Sequence, residues 1–431
     1  MAKKKNVEKP QRQITKRQAS SIKRQKRRQN FIFYGGILII AAVLVIVFVG
    51  LYMGEIRPYH QTVLKVYDRE FNAQYIMDTA KYFGRLYPPE TYLTNLSGLV
   101  YSSPNYITQS ELIRRGAADL GITVDDDEVK EYLKEQEDLI EREIPVNDAS
   151  VDLARLGFLN EKLTEEYFKP LVPATTDQVN LMAMFLESES EAFTITAELD
   201  ASDNFTGLAQ EYSLDFYTKE KMGDLGWHSR EFLEYQLGTT VPVEYAFDAE
   251  IGTLSRPIYD EISKSIGYWI VNVLERQENT QAHVQVILLG SVEEADTVIM
   301  RLINGEDFGE LAREFSQDEA SREQGGDLGW VTPGSRSAVF DEYVFNPEAL
   351  DLGIQGPILD VTVTTTGGYW LVQVVDREEN RPLEEEEKES LAEQAFSDWV
   401  SQLWEDATDE IDQSFLTAEV TEWIVEKLME E

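Results

Sequence analysis

Apolar and polar residues change from strand-like to helix-like spacing in the second half of the chain. Residues 284–289 (VQVILL) form a short apolar run that is typical of a buried strand. Residues 356–376 supply two further runs, rich in β-branched residues around a Gly-Gly pair, and these favour a pair of strands. Between them, apolar residues with helical spacing follow the first run, at Ala295, Val298, Ile299, Leu302 and Ile303. The predicted order is β-α-α-β-α-β-β, a small antiparallel sheet with helices on it.

The same pattern occurs twice. MGDLGW at 222–227 recurs as GGDLGW at 325–330, an offset of 103 residues. FTGLAQEYSLD recurs as FGELAREFSQD at the same offset, and GYWIVNV recurs as GYWLVQV at an offset of 101. Three blocks in one order at nearly one offset indicate two copies of one domain. We place the copies at 177–276 and 280–378.

The amino-terminal region has a different composition. Residues 1–30 contain twelve Lys and Arg and a single acid, and the 23 residues from Phe31 to Met53 carry no charge. A helix of 23 residues would span a bilayer core of roughly 30 Å, and the basic flank would stay in the cytoplasm. The sequence therefore predicts a basic cytoplasmic tail, a single-pass transmembrane helix over 31–53 that anchors the chain in the cell membrane, and an extracytoplasmic body.

Two amphipathic helical segments flank the copies, one over 55–175 and one over 384–431. Neither can bury its apolar stripe alone, so we expect the carboxy-terminal helices to pack on the first segment as one module. Thr108 with Glu111 is expected to form a capping box at a helix start. The acidic run EEEEKE at 384–389 is expected to be the solvated start of a helix.

Composition excludes several kinds of function. The chain has no cysteine, which excludes disulfides and thiolate sites, and its net charge of −40 argues against nucleic-acid partners. The chain has three histidines, His60, His228 and His283, which are far apart in the sequence. It contains neither a G-x-S-x-G nucleophile elbow nor an H-E-x-x-H helix. A hydrolase is therefore disfavoured, and the sequence predicts no cofactor and no metal site.

The order NGEDFGELAREFSQD, GGDLGW and GPI…GYWLVQV resembles the parvulin family of peptidyl-prolyl isomerases across 284–375. The helical segment, with ITQSELIRRGAADLGITVDDDEV, resembles the amino-terminal region of extracytoplasmic foldases of the SurA/PrsA type. The resemblance implies an α+β protein with a SurA-like helical module and two tandem parvulin-like domains. It also implies clients that are unfolded or proline-containing exported polypeptides.

Carried over residue by residue, the resemblance implies a candidate site in the second copy. Asp318 matches the family's acid, and Leu328 and Phe340 match two residues of its proline pocket. The pocket methionine falls at Arg336, and the last-strand histidine falls at Trp370. The first-strand histidine falls at Val286. In the first copy the counterparts are Asp215, Leu225 and Trp269, with Ala183 at the other histidine position and Pro242 at the phenylalanine position.

Two interpretations of this site remain open. Asp318 either polarises the prolyl amide or only caps the turn that follows it. The chain is accordingly either a foldase whose second copy retains some isomerase activity, or a catalytically inactive holdase or scaffold that kept the fold. Because both family histidines are replaced in both copies, we expect any activity to be weak and to lie in the second copy.

Overall fold

The computed structural model describes residues 41–50, 52, 57–85, 89–140, 146–202, 204–277, 280–345 and 352–430. Its α-helices are α1 (Ala73–Gly84), α2 (Pro89–Asp119), α3 (Asp126–Ile140), α4 (Asp148–Lys162), α5 (Glu189–Ser202), α6 (Phe205–Tyr212), α7 (Phe216–Glu220), α8 (Arg230–Leu237), α9 (Val241–Asp248), α10 (Val292–Ile303), α11 (Phe308–Phe315), α12 (Glu319–Arg322), α13 (Ala338–Phe345), α14 (Glu385–Asp406) and α15 (Ala418–Glu430). Its strands are β1 (Thr62–Val66), β2 (Arg69–Asn72), β3 (Thr175–Leu186), β4 (Asp224–Ser229), β5 (Ile258–Lys264), β6 (Gly267–Gln277), β7 (Gln281–Leu289), β8 (Asp327–Val331), β9 (Gly353–Asp360), β10 (Thr365–Pro382) and β11 (Ile411–Asp412). Short 3-10 or π-helical turns cover Pro58–His60, Leu163–Phe168, Lys169–Leu171 and Thr408–Glu410. The predicted α+β class, with two similar antiparallel sheets, is confirmed.

The membrane-spanning helix predicted over residues 31–53 is wrong for this structure. Across the described ranges, no helix is both long and apolar enough to cross a bilayer. Within the predicted span, residues 41–50 are helical, and a helix of this length rises about 15 Å, half of the hydrocarbon thickness. Residues 31–40, 51 and 53 lie outside the described residues. The single-pass anchor is therefore not part of the described fold.

The chain divides into two compact units, Met1–Leu163 with Ser397–Glu431, and Thr164–Phe396. In the first unit, a three-stranded sheet in the order β11-β1-β2 lies beside α1, α2 and α15. Ile424 and Leu428 of α15 are buried in one cluster with Ile76 of α1 and Leu112 of α2. The carboxy-terminal end of the chain thus supplies part of this core.

Helix α2 does not begin where the sequence predicted. Pro104 lies inside the helix, and the Thr108 hydroxyl donates to the Pro104 carbonyl at 2.8 Å instead of capping a new helix. Glu111 is buried and accepts from Arg114 and Arg115. Proline removes one helical hydrogen bond. Because α2 also packs against α1, α4 and α15, tertiary contacts keep the helix continuous through this residue.

Two glycines of α2 provide a matched test of this packing. A Cβ at Gly116 would lie 2.5 Å from Cζ2 of Trp399, whereas a Cβ at Gly98 would meet nothing within 4 Å. We expect Gly98→Ala to raise the free energy of unfolding by about 0.5–1 kcal/mol, because alanine has the higher helix propensity. Gly116→Ala should lower it by about 1–3 kcal/mol through overpacking. Denaturant unfolding of both variants measures the difference, and equal effects would contradict the contact with Trp399.

The second unit contains two four-stranded antiparallel sheets whose strands do not follow the sequence repeats. One sheet has the order β4-β3-β10-β5 and the other the order β8-β7-β6-β9. Strand β10, from the second copy, therefore lies between two strands of the first copy. Strand β6, from the first copy, lies between two strands of the second. Each copy completes its sheet with the last strand of the other.

The register is equivalent in the two sheets. Trp370 of β10 pairs with Phe185 on one side and Ile258 on the other. Trp269 of β6 pairs with Leu288 and with Ile358 in the same way. The exchange therefore leaves the strand order and alignment of each sheet unchanged.

A buried lysine marks the point where the two chain segments cross. Lys264, at the end of β5, is 4% exposed and donates its Nζ protons to the carbonyls of Glu187 and Gly367. Burial lowers the pKa of this ammonium group to about 8, against the opposing influence of Glu187, Glu294 and Glu191. The crossing thus holds a cation that water would stabilise better than the protein does.

This lowered pKa makes a prediction about stability and pH. Between about pH 8 and 10.5 the unfolded chain binds more protons at Lys264 than the folded chain, so stability should rise with pH there. We expect a gain of about 1–2 kcal/mol for the Thr164–Phe396 unit between pH 8 and 9.5. That window lies below the pH at which Tyr217 and Tyr268, whose pKa values are raised mainly by burial, oppose the trend. Denaturant midpoints across this range should rise for the natural protein and stay level for Lys264→Met; parallel slopes would contradict the assignment.

Candidate functional site

The apolar part of the candidate site in the second copy lies over β7 and β8. Val286 of β7 and Phe340 of α13 are fully buried in one cluster, and Leu328 of β8 packs against that cluster while remaining partly exposed. The glycine turn before β8 positions Leu328 beside β7. Gly326 in this turn has φ +79°, and its carbonyl accepts from the Val286 N–H at 2.8 Å. The structure therefore brings together Leu328, Phe340 and the residue at the first-strand histidine position.

Asp318, the residue that precedes α12, has two sets of partners. Its Oδ2 accepts from the N–H of Ser321 at 3.1 Å and from the Ser321 hydroxyl at 2.5 Å, which caps α12. Its Oδ1 accepts from Nη1 of Arg336 at 2.8 Å. The Asp318 side chain is 7% exposed and that of Arg336 26% exposed. The carboxylate therefore both caps the following turn and holds the partly exposed guanidinium group of Arg336.

A second carboxylate, which the sequence analysis missed, fixes the helix that carries Phe340. Asp360, at the end of β9, is fully buried and accepts from the hydroxyl of Ser337. The same Ser337 hydroxyl accepts from the N–H of Phe340 at 3.1 Å. Asp360 also accepts from the N–H and hydroxyl of Thr362. The sequence did contain a signal for this residue, because in each copy an aspartate follows the Pro-Ile pair by two residues, Asp260 in the first copy and Asp360 in the second.

In the first copy, the equivalent region is filled by a tryptophan from the second copy. Trp370 is fully buried, lies 4.9 Å from Phe185 between ring centroids, and packs in one cluster with Ala183 and Leu225. Its indole N–H donates to Oδ2 of Asp260 at 2.9 Å. Trp370 thus occupies the centre of the first-copy site, and the structure does not bring it together with Asp318.

The polar part of the first-copy site is simpler than that of the second. Asp215 caps α7 through the N–H of Thr218 at 2.7 Å, and burial raises the pKa of its carboxyl. The position equivalent to Arg336 is Gly238, which has φ +65°. Pro242 is buried in α9, where the second copy has Phe340. No guanidinium therefore lies at the Gly238 position to pair with Asp215.

Trp370 was predicted to lie in the second copy, but in the structure Trp269 occupies the equivalent strand position there. Its backbone pairs with Leu288 of β7 and Ile358 of β9, so β6 places this residue in the sheet of the second copy. The structure thus places each tryptophan in the sheet of the copy to which it does not belong in sequence.

Within the described residues, no group of three or more His, Asp or Glu side chains is placed to hold a metal ion.

Comparisons with known proteins find the same repeat in the sequence. The family model for the PPIC-type PPIase domain matches residues 185–277 and 275–378. A protein named Chaperone SurA from Methylococcus capsulatus is 31% identical over 235 residues, which cover 51% of this chain and 48% of that protein. A protein named Foldase protein PrsA from Oceanobacillus iheyensis is 41% identical over 103 residues, which cover 24% of this chain and 32% of that protein.

The matches leave part of the relatives unaccounted for, because this chain spans about half the length of the SurA protein (48%). Among solved structures, the peptidylprolyl isomerase PrsA from Bacillus anthracis matches 75% of this chain and 94% of that one at 12% identity, with a TM-score of 0.29. Such a score supports no further argument. The repeated motif residues and the family match agree over the same part of the chain: residues 185–378 are two copies of the parvulin-type, or PPIC-type, peptidyl-prolyl isomerase domain, in a chain similar in sequence to proteins named SurA and PrsA.

Proposed function

We propose that the chain is a foldase that binds unfolded, proline-containing polypeptides outside the cytoplasm and accelerates prolyl isomerisation at its second copy. The observation that carries the proposal is that the second copy keeps both an apolar cluster with Leu328 and Phe340 and an ion pair between Asp318 and Arg336. The family match over both copies supports it. The similarity to proteins named chaperone and foldase supports polypeptides as clients.

The chemistry requires little of the protein. Rotation about an X-Pro amide has a barrier of about 18–20 kcal/mol, and no bond is broken. At the top of the barrier the amide nitrogen has lost conjugation, so a well-placed N–H donor stabilises the twisted form more than the planar one. Arg336 carries such donors, and Asp318 fixes one of them at 2.8 Å. We therefore assign Arg336 as the donor and Asp318 as the residue that positions it.

A proline ring can contact only those side chains of the candidate site that are partly exposed to solvent. Phe340 is fully buried, so its ring supports the surface from below instead of forming it. Leu328 is partly exposed, and so is the side chain of Arg336, which lies four residues before Phe340 in the chain. A proline ring would rest on these two side chains, because arginine commonly covers apolar groups with its stem while its charged end remains polar.

The first copy supports a binding role instead of a catalytic one. Trp370 fills its centre, and Gly238 replaces the arginine that would supply a donor.

The chain carries a net charge of −40, so basic client segments are attracted through an electrostatic field that salt screens. The resemblance to extracytoplasmic foldases of the SurA/PrsA type supports a place outside the cytoplasm.

A pair of matched substitutions tests the catalytic assignment. Asn caps a helix as well as Asp does, so Asp318→Asn keeps the cap of α12 but removes the charge that holds Arg336. We expect Asp318→Asn and Arg336→Met each to slow the isomerisation of a proline-containing peptide by about 10- to 100-fold, because a misplaced or missing donor costs that much. A proline-isomerisation assay on the full chain measures this effect.

Asp215→Asn is the control, since Asp215 caps α7 in the same way without an arginine at the Gly238 position, and it should leave turnover unchanged. Suppression of client aggregation should persist in all three variants. If Arg336→Met instead raises turnover, Arg336 obstructs the site. If the natural protein has no turnover but suppresses aggregation, the holdase interpretation is correct.

Phe340 needs a conservative substitution, because its burial makes truncation a stability experiment. Phe340→Ala should lower the free energy of unfolding by about 3–5 kcal/mol, since it removes a fully buried ring. Phe340→Leu should cost less than about 1.5 kcal/mol and retain measurable turnover. Thermal or denaturant unfolding gives the first quantity and the peptide assay the second. A small effect of Phe340→Ala on stability would contradict the buried position.

A further inference from the structure

The two exchanged strands are nearly identical, so either could complete either sheet. Strand β6 contains GYWIVNV and β10 contains GYWLVQV. Gly368 pairs with Asp260, and Gly267 pairs with Asp360. If each copy paired its own last strand at the same register, Gly267 would face Asp260 and residues 261–266 would form a turn. Strand sequence alone therefore does not decide between exchange and self-pairing.

The observed chain has no turn at that place. Residues 261–264 continue β5, and Lys264 pairs with Thr365 at the start of β10. Only Ser265 and Ile266 separate β5 from β6, and the Thr365 hydroxyl donates to the carbonyl of Ile266. The segment that would close the hairpin is thus used as strand, and it pairs with the other copy.

Side chains from each copy also bind the backbone of the other near the crossing. Glu187, at the end of the first copy's β3 sequence, accepts from the N–H of Val292 at the start of α10 at 3.4 Å. Glu293 of α10 accepts in return from the N–H of Ser190 at the start of α5 at 3.4 Å. The hydroxyl of Tyr268 on β6 donates to Glu187 at 3.0 Å. These contacts are reciprocal, like the strands.

One contact connects the candidate site of the second copy to the core of the first. Gln317 directly precedes Asp318, and its side chain accepts from the N–H of Thr366 at 2.8 Å and donates to the Thr366 carbonyl at 3.2 Å. Thr366 is the second residue of β10, the strand that carries Trp370 into the first-copy core four residues later. A shift of the loop at Asp318 would therefore displace a strand of the first-copy sheet.

We infer that the two copies form one reciprocally strand-exchanged unit, in which the sheet of each candidate site is completed by the last strand of the other copy and the two sheets are mechanically coupled. The inference rests on strand pairing and holds whether or not the protein catalyses isomerisation. Neither four-stranded sheet is complete within the residues of its own repeat.

Cysteine cross-linking on the full chain tests the exchange, and the natural chain contains no cysteine to interfere. Met182 pairs with Gln373 in the structure, and Asn272 is the counterpart of Gln373 in the first copy. Met182→Cys with Gln373→Cys should form an intramolecular disulfide under mild oxidation, because the Cα atoms of directly opposite residues lie about 4.5–5.5 Å apart, within the range that a disulfide spans. Met182→Cys with Asn272→Cys should remain reduced, and Met182→Cys alone is the control.

The reverse result, a disulfide only in the pair containing Asn272→Cys, would show self-paired copies and overturn the inference. A disulfide that joins two chains would show exchange between molecules and overturn the intramolecular unit. Migration on a non-reducing gel distinguishes all of these outcomes.

Hydrogen exchange tests the coupling. Val374 belongs to the second repeat by sequence but lies buried in the core of the first-copy sheet, whereas Val286 lies in the core of the second-copy sheet. Val374→Ala and Val286→Ala should each lower amide protection by about tenfold or more in both β3 and β7, because a coupled unit opens as a whole. Loss of protection in only one sheet for each variant would show that the copies open independently and would overturn the coupling.

Discussion

The antiparallel ladder between β3 and β10 connects residues at opposite ends of the second unit. It runs from the pair Thr175–Pro382 to the pair Leu186–Tyr369. Because side chains on a strand alternate between faces, this register sends Val374 and Trp370 to one side of the sheet and Leu371 to the other. A slip of one residue would reverse every one of these positions. Both cores of the first-copy domain therefore depend on a strand that belongs to the second copy in sequence.

Two buried carboxylates secure this arrangement at equivalent places. Asp260 accepts from Thr239 and from the indole of Trp370, and Asp360 accepts from Ser337 and Thr362. A buried carboxylate without partners would cost several kcal/mol, so each is retained only with its hydrogen bonds. In both copies the carboxylate joins the last strand before the crossing to the segment that begins the pocket helix. The polar groups thus specify how the helix lies on the sheet, while the apolar cluster supplies the driving force.

Hydrophobic spacing was sufficient to predict the local elements of the second unit. The helical run from Ala295 to Ile303 is α10, and the apolar run at 284–289 lies in β7. The partner of the last strand could not be predicted, since the two Gly-Tyr-Trp strands are nearly the same and only contacts at the crossing distinguish the two pairings. For the acidic run at 384–389, which forms the first turns of α14, the prediction of a fully solvated face was wrong for a related reason. Glu387, expected in solvent, is buried because Ser229 and His228 of the first copy donate to it.

The candidate site shows the same difference between residues that a sequence motif identifies and contacts that only the folded chain determines. The motif named Asp318 and Arg336 as candidate site residues, but their contact depends on the fold of the segment between them. Of the two open interpretations of Asp318, the cap is observed, and the ion pair adds a second role that the motif did not indicate. An arginine at a family methionine position would be costly at a partly buried site without an acid beside it. The retained Asp318 supplies that acid, so the two residues are best understood as one unit: the charge of Arg336 is compatible with this surface because Asp318 is there to hold it.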